Sequence, residues 1–99
     1  MKSFVSIELD KVRNIRFGYK ALMLIEELIG VKITKLDFDN IGIKDISILL
    51  YAGLSHEDKE LTLDKIVDLI DEHSDITTVS EKIGEAMSEA FGKKQNPPQ

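Results

Sequence analysis

The feature that most limits how this chain folds is a change of hydrophobic period at Gly18. Before it, "SFVSIEL" (3–9) alternates loosely, with Phe4, Val5, Ile7 and Leu9 as its apolar members, and "VRNIRF" (12–17) carries Val12, Ile15 and Phe17. Both stretches favour the pleated state, and the polar pair Asp10-Lys11 offers the turn between them, so residues 3–17 read as a β-hairpin. After Gly18 the dominant apolar spacing becomes helical. A two-stranded hairpin is marginal by itself in water, so this one must lie on the helices that follow.

Four helices are expected. "YKALMLIEELI" (19–29) places Leu22, Ile25 and Ile29 on one face, with Gly30 as its stop signal. Met23, Leu24 and Leu28 widen the apolar arc, which predicts burial on more than one side, while Glu26 and Glu27 face out. "VKITKLDFDNIG" (31–42) reads as a connector with one short strand or turn. "IKDISILLYAGL" (43–54) follows, with Ile43, Ile46, Leu49, Leu50 and Leu54 sharing a face; its β-branched residues lower helix propensity, so packing must hold it.

The third helix starts after Thr62, an N-cap flanked by Leu61 and Ile66 at hydrophobic-staple spacing, with Asp64 in its first turn. Leu63, Ile66, Val67 and Ile70 form its expected core stripe, and it ends near Glu72 or His73. The fourth spans 75–91, capped by a Thr78/Glu81 box or earlier at Asp75. Its apolar face is Ile76, Val79, Ile83, Met87, Ala90 and Phe91, and Gly84, Ala86 and Ala90 are small enough for close approach of another helix. The expected architecture is mainly α (α+β): an N-terminal β-hairpin packed on about four helices. Residues 1–91 are expected to form a single globular domain and 92–99 a flexible C-terminal tail.

Composition narrows the chemistry. With 99 residues, 42% hydrophobic and 31% charged, the chain has material for one core and one solvated surface. It has no cysteine, which removes disulfides, thiolate zinc sites and cysteine nucleophiles. No apolar run approaches the roughly 18–20 residues of a membrane span. "MKSFVSIELD" carries charge at positions 8 and 10 and lacks the apolar stretch of a signal peptide, so a cytoplasmic protein is expected. Residues 1–54 hold eight Lys/Arg against seven Asp/Glu, net +1, whereas residues 55–99 hold five against eleven, net −6. The acidic half repels a phosphate backbone, which argues against nucleic-acid binding. Lys11, Arg13, Arg16 and Lys20 cluster, and their plain reading is a solvated hairpin edge and turn.

The strongest candidate for chemistry is "SHEDKE" (55–60), where His56 stands beside Glu57, Asp58 and Glu60. A zinc site asks for a second His or a Cys at ligand spacing. The second histidine, His73, lies at the far end of a predicted eleven-residue helix about 16 Å long. The cluster therefore reads as a polar interhelical loop. "DFDNIG" (37–42) begins like a calcium loop but places Ile41 and Ile48 at the fifth and twelfth ligand positions. No serine or threonine pairs with a histidine and an orienting carboxylate by pattern, and no glycine loop cradles a phosphate. No catalytic residue, metal or cofactor is expected. The candidates are contact residues: Tyr51, Leu54, Met87 and Phe91, with aromatics as interface anchors and methionine, here Met87 and Met23, as adaptable lining. The competing reading of each is an ordinary core side chain.

"IRFGYKALMLIEELIG" (15–30), "DISILLYAGLSHEDKELTLDKIVDLIDEH" (45–73) and a helix ending "AMSEAFGKKQ" (86–95) together resemble the tail assembly chaperones of long-tailed phages and related prophages. The resemblance runs over roughly residues 12–95. It is carried chiefly by "FGYKAL" and by "LLYAGL" followed by a polar loop and "LT" before an acidic helix. It implies a non-catalytic protein of the bacterial host cytoplasm that coats the long, partly apolar tape measure protein and keeps it soluble until tail tube subunits polymerise around it. It also implies a longer form, made by translational frameshift, that recruits the tail tube protein; adjacent lysine codons at Gly92-Lys93-Lys94 would suit a slippery run. Coating a long client favours weak head-to-tail self-association into a homo-oligomer, through the hairpin edge or the small-residue face of the last helix. The alternative is a small acidic regulatory or adaptor protein that binds a single protein partner through a compact patch.

Overall fold

The computed structural model describes residues 4–38 and 40–91. Ser3, Asp39 and the expected tail at 92–99 lie outside the described residues. The elements are β1 (Val5–Glu8), β2 (Val12–Ile15), α1 (Tyr19–Ile29), a single 3-10 turn (Ile33–Lys35), α2 (Ile43–Leu54), α3 (Leu63–His73) and α4 (Ile76–Ala90). The expected mainly α fold with an N-terminal hairpin and four helices is the one observed.

β1 and β2 pair antiparallel in the register Val5↔Ile15, Ser6↔Asn14, Ile7↔Arg13 and Glu8↔Val12. The alternation sends Ile7, Leu9, Ile15 and Phe17 into the core. Gly30 closes α1 in the left-handed conformation at φ 83°, its N–H bonded to the Glu26 carbonyl. Glu26 does not simply face out: its carboxylate accepts from the Ile33 N–H at 2.8 Å and anchors the 3-10 turn. The 31–42 connector forms no strand among its described residues.

α2 is the spine of the fold. It touches α1, α3, α4 and β2 and is buried from Ile46 to Leu50 and again from Ala52 to Leu54. Surrounded in this way, it needs no amphipathic pattern. Close approach is made possible at Gly53: a Cβ there would stand 2.7 Å from Ile15 Cγ2 and 3.1 Å from Phe17. The small residues of α4 play a lesser part, since Ala86 is buried while Gly84 and Ala90 are exposed.

Three expectations about faces need correction. α1 is buried on one side only, through Ala21 and Ile25, and leaves Met23 and Leu28 exposed because no other described element covers its outer face. α3 seats Ile66 and Leu69 in the core with Ile70 half-buried, so Val67, one residue and therefore about 100° on from Ile66, turns outward. Ile43 opens α2 before burial begins at Ile46 and is 71% exposed.

The two caps are as their chemistry requires. Thr62 accepts from the Lys65 N–H at 3.1 Å, and its staple partners Leu61 and Ile66 are buried. α4 starts at the earlier of its two candidate caps, where Asp75 accepts from the Thr78 N–H at 2.8 Å.

Candidate interaction surface

The His56 cluster folds back onto the hairpin. In β2 the N–H and C=O of Asn14 point away from β1 and form an open strand edge, which must be satisfied by something other than a third strand. The loop after α2 supplies it. Glu57 accepts from the Asn14 N–H at 2.8 Å and from its side-chain amide at 3.3 Å. His56 Nε2 lies 2.8 Å from the Asn14 carbonyl, which can only accept, so that ring nitrogen carries the hydrogen. One step further, the Arg16 N–H donates to the Gly53 carbonyl at 2.9 Å.

Asp58 completes the attachment. Arg13 is not part of a solvated basic patch: it is 4% exposed, and its guanidinium donates twice to Asp10, at 2.9 and 3.0 Å, and once to Asp58, at 3.2 Å. The Arg13 hydrogen bonds pull Asp10 down to about 2 and push Arg13 upward in turn. Asp58 is lowered first by the Glu60 N–H that it accepts and then by Arg13. Among the described residues no three His, Asp or Glu side chains are grouped as metal ligands would be. His73 stands at the other end of α3, 3.8 Å from Glu72.

The four expected contact residues do not form one surface. Leu54 and Met87 are buried in the core, and no partner reaches them in this fold. Tyr51 is partly buried and packs against the same core. Phe91, at the end of α4, is 45% exposed. The two buried residues fail as contacts for one reason: α2 is enclosed by three helices and a strand, and α4 presents its Met87 face inward.

The exposed apolar groups lie elsewhere. Tyr19 and Met23, 85% and 66% exposed, are four residues apart on the outer face of α1. Ile43, Val67 and Ile76 are brought from α2, α3 and α4 to one open groove of about 420 Å³, together with Asp68, Asp71 and Asp75. None of the described residues lining this groove is basic. Bonds from the Thr78 N–H and hydroxyl hold Asp75 below the usual carboxylate range. A second groove of similar size lies over Phe38, Ile41, Ile46, Ile83 and Gly84, with Glu81 at its side. Reading α3 as an inward stripe hid Val67; the signal available in the sequence was Asp64, Asp68 and Asp71 spaced around it, which mark a wet face.

No protein-family model matches the chain, and searches of curated proteins and of solved structures find no match. Among the described residues no helix is long and apolar enough to cross a membrane.

Proposed function

We propose that this protein is a phage or prophage tail assembly chaperone that binds and solubilises the tape measure protein during tail morphogenesis in the bacterial host cytoplasm. The reading is of a non-catalytic binder. The observation that supports it is the amount of apolar side chain left in solvent by a well-packed acidic domain: ten large apolar residues among the described ones, led by Tyr19, Ile43 and Met23. A chaperone for a long helical client needs adhesive surface together with charge that keeps the complex dispersed. The polar cluster that most resembled a reactive site is occupied with holding the hairpin. Recruitment of the tail tube protein belongs to the proposed frameshifted form, and an A-rich run with an overlapping downstream frame in the gene is what that form requires.

The test is to mix the purified protein with a long coiled-coil tape measure fragment and measure mass by light scattering. The chaperone reading expects many copies on each fragment and a fragment that stays in solution. The adaptor reading, which the acidic rim of the Ile43–Val67–Ile76 groove favours, expects a one-to-one complex with a different, globular partner and no effect on the fragment's solubility.

A further inference from the structure

We infer that the groove between the start of α2, the outer face of α3 and the α3–α4 corner is a docking site for a basic amphipathic helix. The inference rests on the reading of this protein as a binder, and it adds the chemistry of the segment bound. Three aliphatic side chains from three different helices meet there, each with more than a third of its surface open to solvent: Ile43, Val67 and Ile76. They are flanked by Asp68, Asp71 and Asp75, all exposed.

Each part of this arrangement selects a property of the occupant. The aliphatic floor gains only by covering apolar side chains. The carboxylates, with no basic residue among the described lining, attract lysine or arginine and repel acidic segments and nucleic acid. Thr78 donates to Asp75 twice, at 2.8 and 3.2 Å, which holds that carboxylate in place at the rim of the groove. Among the described residues the walls are helix surface and the turn that joins α3 to α4, with no strand edge to pair. An extended peptide therefore finds no main-chain ladder here, whereas a helix satisfies its own backbone and presents one apolar stripe. The occupant is a helix with aliphatic residues at i, i+3, i+4 and i+7 and basic residues beside them.

The probe is a synthetic peptide of about 18 residues, five turns, with a leucine stripe flanked by lysines, beside a control in which glutamate replaces each lysine. Binding to the full chain is followed by fluorescence anisotropy and by NMR shift mapping. The lysine peptide is expected to bind, to move the signals of Ile43, Val67 and Ile76, and to bind at least roughly tenfold more tightly than the glutamate peptide. The D68K/D71K protein reverses that preference; both positions are exposed, and a lysine near the C-terminal end of α3 suits the helix dipole, so the variant folds. I43S/V67S weakens both peptides.

Equal binding of the two peptides, or shifts centred on Tyr19 and Met23 instead, overturns the inference. So does self-association of the protein alone that D68K/D71K abolishes, since the groove then belongs to a second copy. A tape measure fragment bound and solubilised equally by wild type and D68K/D71K sinks the groove and leaves the chaperone reading standing. Lysine-peptide binding with no tape measure binding does the reverse.

Discussion

Arg13 Nη1 and Asp58 Oδ2 lie 3.2 Å apart although 45 positions separate them in sequence. With the twofold contact from Arg13 to Asp10, this ties the hairpin turn to the loop that follows α2. Removing the guanidinium strands two carboxylates beside a buried site. R13A is expected to lose about 2–3 kcal/mol of stability, and R13M, which keeps most of the buried stem, measurably less. Urea unfolding followed by circular dichroism separates the two; equal losses would mean that the packing of the stem contributes nothing and the guanidinium contacts carry the whole effect, whereas an R13M as stable as wild type would mean that the ion pairs do not matter.

The same contacts set a pH dependence. Folding lowers Asp10 from its ordinary 3.8 to about 2 and lowers Asp58 in the same direction. The unfolded chain therefore takes up protons first as pH falls. The stabilisation is complete above the unfolded value and is lost as pH drops through the folded one. The stability difference between wild type and D10N should hold steady at neutral pH and shrink between about pH 4 and pH 2. A difference that grows on acidification in that window contradicts the assignment.

Glycines in α2 and α4 should respond oppositely to alanine. At Gly53 a methyl meets Ile15 Cγ2 at 2.7 Å and Phe17 at 3.1 Å, so overpacking at the β2–α2 contact outweighs the gain in helix propensity. G53A is expected to lose about 1–2 kcal/mol. At Gly84 nothing lies within 4 Å of the added carbon, and G84A should gain about 0.5–1 kcal/mol. Thermal unfolding midpoints that move in the same direction for both would refute the close approach at Gly53.

Much of this fold was legible because its boundaries are set by local chemistry. Gly18 and Gly30 bracket α1, Thr62 begins α3, and the predicted limits of α1 and α2 coincide with the observed ones. Faces were less legible. Periodicity marks which residues share a side but not how far a neighbour extends over it, so Met23, Ile43 and Val67 came out on the wet side of helices otherwise correctly placed. Arg13 was hidden for a different reason: a buried guanidinium is recognised by its partners, and one of them, Asp58, is distant in sequence. The candidate contacts were the least legible, since Leu54 and Met87 have the composition of an adaptable surface and the burial of a core.

Core and surface should separate in a client assay. Leu54 is completely buried, so L54A is expected to cost about 3 kcal/mol, with client binding lost only in proportion to the unfolded fraction. Tyr19 and Met23 stand in solvent on the outer face of α1, and Y19S/M23S should change stability by no more than about 0.5 kcal/mol. If apolar exposure is what holds a tape measure fragment in solution, this folded, stable variant should let more of it precipitate, and I43S/V67S should do the same through the acidic groove. Stability is read by urea unfolding, and chaperoning by turbidity of the fragment at a fixed ratio of protein to client. Fragment solubility unchanged in both surface variants, with their stability intact, would leave the exposed side chains without the role proposed for them.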